Sequence, residues 1–452
     1  MNLKVYSNDC FFVPKSVQCS VAVPVDTENT MYTRREFLSA ATIASLGLAA
    51  PLRSVAQTPE NGLKELPPIR RITNGPKFHW RGYYDIHLFD PSNRFVLANE
   101  IGFEHRTPQP DDTIRVGMID LGDNDRWIEL GTSKAWNWQQ GCLLQWVPGT
   151  ESTVIWNDRE KDRFVARLFD VKKKEIQTLD NPIYALSPDG KWGFYPDFRR
   201  LNNTRPGYGY AGIDDPNADA SAPDDAGIWR INLSTGQSDL MVPFASLAAM
   251  VPPDGGFSKG AKHWFNHLLV APDGKRFLFL HRWRGEAEGR SWCTRLVTAN
   301  TDGSDLFLLN PHRMTSHLIW RDPKHVLAWA RHPSHGDKFY VFTDKTGDAE
   351  LVGGDVMTRD GHCTYFPKTN NDWILYDTYP DKDRNQNPML FHIPSNKVVP
   401  LGHFHLPQAY AGEWRCDIHP HADRNGQFVT IDSVHENMGR QVYLIDIRGM
   451  TT

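Results

Sequence analysis

The sequence predicts an all-β chain folded as a seven-bladed β-propeller that an N-terminal strand closes. Three observations predict it. The first is the hairpin from Phe265 to Arg284, FNHLLVAPDGKRFLFLHRWR. Here a short β-rich run, His267 to Ala271, meets the turn Pro272-Asp273-Gly274, and an apolar strand resumes at Phe277. The second is its recurrence. Counted from seven places before the turn glycine or its substitute, copies start at Ile86, Cys142, Ile183, His267, His317, His362 and His419. The third is a further strand pair after each hairpin, such as VARLFDVKKKEIQTL or TRLVTANTDGSDLFLL. Each unit then holds four strands with a period of about 41–57 residues, the mark of a radial β array. A lone four-stranded sheet cannot bury both faces, so the units must pack around an axis.

Taken in order, residues 1–56 read as a targeting region and 57–452 as the propeller domain. Thr33-Arg34-Arg35-Glu36-Phe37-Leu38 is a twin-arginine motif, followed by a mildly apolar run from Leu38 to Leu52 and the small residues Ser54-Val55-Ala56. This predicts a folded protein exported to the periplasm or beyond, with no membrane span left once the signal is removed. Met31 offers an alternative start that would leave 1–30 untranslated. Residues 57–65 read as a linker. The last unit lacks its fourth strand, and Leu66 to Thr73 (LPPIRRIT) is the segment expected to supply it beside Gln441 to Ile447.

Blade one carries GYYDIHLFDPSNRFVLANE and the loop Phe103-Glu104-His105-Arg106. Trp136 and Trp138 lie on the approach to blade two, and blade three is expected to end its second strand at Arg199 and Arg200. The longest spacing, Ile183 to His267, contains RPGYGYAGIDDPNADASAPDD, a polar loop rich in Gly and Pro. Its aspartates, Asp214, Asp215, Asp219, Asp224 and Asp225, lack the regular spacing of a calcium loop and read as a solvated surface.

A net charge of −4 argues against nucleic acid as a partner. The 15 tryptophans suit either blade packing or sugar stacking, and composition does not separate the two uses. Cys10, Cys19, Cys142, Cys293, Cys363 and Cys416 show no CxxC spacing, so no disulfide framework is expected.

Inner strands of a propeller line its central channel, so residues at equal phase converge on the axis. His267, His317, His362 and His419 share that phase, and His421 follows two residues on. Imidazoles gathered on one axis are costly as cations, and as neutral ligands they suit a divalent metal. Manganese, zinc and calcium all remain open. The expected ligands are His267, His362, His419 and His421, with His317 facing the same cavity toward substrate.

The runs NHLLVAPDGKRFLFLH, GHCTYFPKTNNDWILYDTYPD and WRCDIHPHADRNGQFVTIDS resemble the oligogalacturonate lyase family and are similar to the ulvan-type propeller lyases. The resemblance spans roughly residues 80–447. It implies a metal held by histidines of neighbouring blades, with His419 and His421 as the His-x-His pair and His267 or His362 as the separate ligand. The family places an amide ligand three residues before that pair, where this chain has Cys416. The implied reaction is β-elimination from a uronic-acid glycan, with a base, an acid and neutralisation of the sugar carboxylate. By resemblance to the ulvan-type enzymes, Tyr184 and Arg200 are the catalytic candidates, joined by His317. Candidate substrate-binding side chains are His105, Arg106, Trp138, Tyr208 and Arg282. The expected partner is an acidic oligo- or polysaccharide, met by a monomeric enzyme.

Two other readings stay open on the sequence. A glycoside hydrolase would need paired carboxylates in one cleft, and the channel phase offers only Asp85 and Asp417. A non-catalytic TolB-like binding module shares the Pro-Asp-Gly turns, and the in-phase histidines argue against it.

Overall fold

The computed structural model describes residues 66–252 and 255–451. The twin-arginine motif and the linker over 57–65 lie outside the described residues. Seven four-stranded antiparallel sheets follow one another as blades. Their innermost strands are Phe78–Trp80, Gln145–Trp146, Ala185–Leu186, Lys262–Val270, Thr315–Asp322, Cys363–Tyr365 and His421–Ala422. Among the described residues, no helix is long and apolar enough to cross a membrane.

The ring closes as the missing fourth strand requires. Ile69–Arg71 is the outermost strand of blade 7 and pairs antiparallel with Gln441–Asp446, Ile69 opposite Ile445 and Arg71 opposite Tyr443. The first and last strands of the domain thus share one sheet.

Turn chemistry sets the repeat. Gly274 takes φ +72°, and its N–H donates to Ala271 O at 2.9 Å to close the hairpin. Gly190 is stricter, because a Cβ there would lie 2.1 Å from Pro148 O of the neighbouring blade. The tryptophans fill the gaps between blades. Trp80, Trp136 and Trp138 pack ring against ring at 5.1–5.8 Å, all fully buried.

Two local expectations change. Blade 1 starts its inner strand earlier than Ile86, at Phe78–Trp80. It then breaks over residues 81–85 and resumes in a bridge from Phe89 to Val96. In blade 3 the second strand ends at Pro196, and Arg199 and Arg200 fall in the helix Phe198–Thr204. Asp197 caps that helix, accepting the N–H of Arg199 at 3.0 Å.

Candidate metal centre in the channel

The break in blade 1 builds the floor of the site. Gly82, at φ +110°, sits where a Cβ would come within 2.9 Å of Gln140 O, so only glycine lets the chain turn inward. Arg81 and Tyr84 then anchor the crossing segment to two different blades. Arg81 is wholly buried. Its guanidinium donates to Asp432 Oδ1 at 3.0 Å, Thr430 O at 2.9 Å, Ile418 O at 3.0 Å and His419 O at 2.8 Å, all in blade 7. Tyr84 reaches blade 5, where its hydroxyl donates to Leu318 O at 2.9 Å and accepts from Leu318 N at 3.0 Å. Tyr83 is left between them, ringed by His267, His362 and His419 at centroid distances of 5.1, 5.6 and 5.0 Å.

Three donors converge above this floor. His362, Asp417 and His419, all buried, bring their ligand atoms within 4.8 Å of one another. His362 Nε2, Asp417 Oδ1 and His419 Nε2 have no hydrogen-bond partner. Each is held from behind. His362 Nδ1 donates to the Asp377 carboxylate at 3.0–3.1 Å, which leaves the Nε2 lone pair facing the cavity. Arg415 Nε donates to Asp417 Oδ2 at 2.8 Å. His419 sits at φ +45°, a left-handed conformation uncommon for a side-chain-bearing residue. Two oriented imidazoles and a carboxylate, orphaned and buried together, fit a divalent cation. As a donor set they suit zinc or manganese better than calcium, which takes oxygen ligands.

The electrostatics separate the two imidazoles. Burial, followed by the charge of His362, holds His419 well below the ordinary histidine range. Burial is also the largest influence against charge on His362, but the carboxylates of Asp377, Asp417 and Asp360 together raise that pKa. Burial pushes Asp85 up to about 7. Tyr83, Tyr84, Tyr184 and Tyr379 are all raised well above the tyrosine range, first by burial.

The expected site residues divide. His317 joins the cavity: its ring lies 4.3 Å from that of His362, its Nδ1 bonds Asp360 at 2.8 Å, and its Nε2 lies 3.4 Å from Tyr379 Oη. His267 is present but engaged, with Tyr184 Oη 3.4 Å from Nδ1 and Tyr83 Oη 3.5 Å from Nε2. It is not part of the convergent triad. His421 is not brought to it either. Residues two apart on a regular strand share a face, but the left-handed turn at His419 breaks the alternation, and His421 packs on Phe89 instead.

Tyr184 lines the cavity beside His267, whereas Arg200 does not reach it. The Arg200 guanidinium is fully buried and donates to His263 O at 2.9 Å, Asn217 O at 2.7 Å, Ala220 O at 2.8 Å and Ser221 O at 2.7 Å. It clamps the long loop onto blade 4. Trp138 is likewise a packing residue, 1% exposed, with Nε1 donating to Arg106 O and Arg440 stacked on its ring. Arg106 is bound to Asp112 through both guanidinium nitrogens, and exposed His105 leans on Tyr410. Tyr208 and Arg282 do reach the cavity. Tyr208 Oη accepts from Arg415 at 3.0 Å, and its ring meets His267 edge-on.

Tyr83, Asp377 and the ligand role of Asp417 were not read from the sequence. Asp417 stood at channel phase, one residue after Cys416, and Gly82 before two tyrosines was the available signal for the crossing segment.

No family model matches the chain, and no curated protein matches it in sequence. Solved structures do match in fold. An oligogalacturonate lyase from Vibrio parahaemolyticus superposes with TM-score 0.59 at 14% identity, over 85% of this chain and 94% of that one. An oligogalacturonate lyase in complex with manganese gives TM-score 0.59 at 13% identity over the same shares. TolB from Acinetobacter baumannii aligns at TM-score 0.36 and 14% identity, over 67% of this chain and 63% of that one. The chain therefore has a propeller fold similar to that of the lyases.

Proposed function

We propose that this chain is a polysaccharide lyase that cleaves a uronic-acid-containing glycan by β-elimination with the help of a divalent metal. The observation that carries the reading is the triad His362, Asp417 and His419, whose buried donor atoms face one point without partners. Its fold likeness to an oligogalacturonate lyase that holds manganese supports the same reading. A cation in the triad would supply electrophilic stabilisation of charge developing on the sugar carboxylate.

The chain's own residues do the rest. Asp377 and Arg415 hold His362 and Asp417 in ligand orientation. His317, steadied by Asp360, presents its second nitrogen beside Tyr379 at the cavity wall, where it contacts substrate. His267, kept neutral by burial, accepts the proton taken from C5, while Tyr184 or Tyr83 on either side of it, kept protonated by burial, donates one to the leaving O4, so that C5–H and C4–O break as the C4=C5 double bond forms. Arg200 acts through the loop it clamps rather than at the reacting atoms. The enzyme works outside the cytoplasm after twin-arginine export, and as a monomer.

The test is incubation with a panel of uronate polymers, followed by ultraviolet detection of the unsaturated uronate that only elimination creates. Wild type should form it and lose the activity on chelation. Reducing ends released without unsaturation would mean a hydrolase, and no product from any polymer would favour a binding module.

A further inference from the structure

We propose that Arg205 and Arg282 form an oxyanion seat beside the triad, one that takes a carboxylate or sulfate ester borne by the sugar. The proposal rests on the acidic-glycan reading above and names the groups that read the acid. Arg205 caps the C-terminal end of the helix Phe198–Thr204, and Arg282 lies on the second strand of blade 4, Arg276–Arg284, with 6% exposure. Both guanidiniums stand against Trp292, with their carbons 4.3 and 5.7 Å from its ring.

These two arginines differ from the buried guanidiniums of Arg81 and Arg200. Arg81 and Arg200 are saturated with carbonyl and carboxylate acceptors. Among the described residues, no side-chain hydrogen bond and no ion pair is made by Arg205 or Arg282, and the buried Nε of each has no partner. Burial, and then the charge of Arg205, pushes Arg282 down to about 10. Two like charges held close repel, and neither has a carboxylate partner to offset that repulsion. An oxyanion between them would accept from both forks, which is the geometry guanidinium offers a carboxylate or sulfate.

The surroundings tie this seat to the triad. Tyr208 lies under the Arg205 guanidinium, 4.9 Å from its ring centre, and meets His267 and Tyr83 edge-on at 5.6 and 6.4 Å. Tyr83 in turn touches His362 and His419. The seat also explains the Arg200 clamp. By pinning the long loop to His263 O, it fixes the helix that carries Arg205, so Arg200 is a positioning residue for the seat.

Thermal unfolding at fixed ionic strength tests this, with sodium galacturonate, sodium sulfate and neutral galactose as probes. Sulfate stabilises folded proteins in general, so each shift is read against the variants. Wild type should gain Tm with at least one anion and not with galactose. Arg205→Gln and Arg282→Gln should each weaken that anion by at least about tenfold. Without anion they should melt at or above wild type, because a repulsion is gone. Arg205→Lys and Arg282→Lys, which keep the charge and lose the fork, should fold and bind more weakly. A response to galacturonate alone marks a carboxylate seat, and a response to sulfate alone marks a sulfate-ester seat.

Glutamine variants that bind the anion like wild type, or that melt well below wild type without it, would overturn the proposal. So would a wild type that responds to neither anion. A wild type that shows the anion response yet makes no unsaturated product would refute the lyase reading and leave the seat in place.

Discussion

At the scale of single residues, the site is defined by polar atoms that the fold leaves without partners. His362 Nε2, Asp417 Oδ1 and His419 Nε2 are costly to bury unless a ligand meets them. His419→Ala should therefore abolish metal uptake, read by elemental analysis, while circular dichroism stays that of a folded propeller, since the sheets are bonded through the backbone. Asp377→Asn should keep the fold and weaken metal binding by about 10–100-fold, the usual effect of losing the group that orients a ligand histidine. Asp85 gives a pH test. Its folded pKa of about 7 lies above the ordinary carboxylate value, so the folded state holds the proton that the unfolded chain releases. Its contribution to stability is thus lost as pH rises from about 4 to about 7. Asp85→Asn should raise Tm at pH 8 and change it little at pH 4; equal shifts at both would contradict the assignment.

At the scale of elements, much was legible because turns and strands are local. The Pro-Asp-Gly hairpins, their phase and the need for a closing strand were all present in the sequence, and Ile69–Arg71 supplies that strand. The legible part of the site was the in-phase histidines, of which three line the cavity with His419. The roles of His421 and Arg200 were not legible, because each turns on one local event. A left-handed residue at His419 rotates His421 away, and a helix replaces the expected strand end at Arg200. Tryptophan use could not be read either, since buried packing and sugar stacking favour the same residue. The crossing segment offers an element-scale prediction. Tyr84→Phe removes the only side chain that bonds both the N–H and the carbonyl of Leu318 among the described residues. It should cost about 1–3 kcal/mol in denaturant unfolding, the penalty for buried backbone groups left unmatched.

At the scale of the whole molecule, closure of blade 7 by Ile69–Arg71 means that the domain is complete only after the last strands are made. That order suits export of an already folded protein, which the twin-arginine motif predicts. Changing both Arg34 and Arg35 to Lys should leave the protein in the cytoplasm with its fold intact. Passage through the general secretory route instead would contradict that prediction. The segment from Arg81 to Tyr84 has its own consequence at this scale. By carrying the chain of blade 1 to bonds in both blade 7 and blade 5, it works as a brace between blades that are not neighbours. A ring braced in this way has to shed the brace before those blades can come apart, so blades 5 and 7 should lose their amide-exchange protection together.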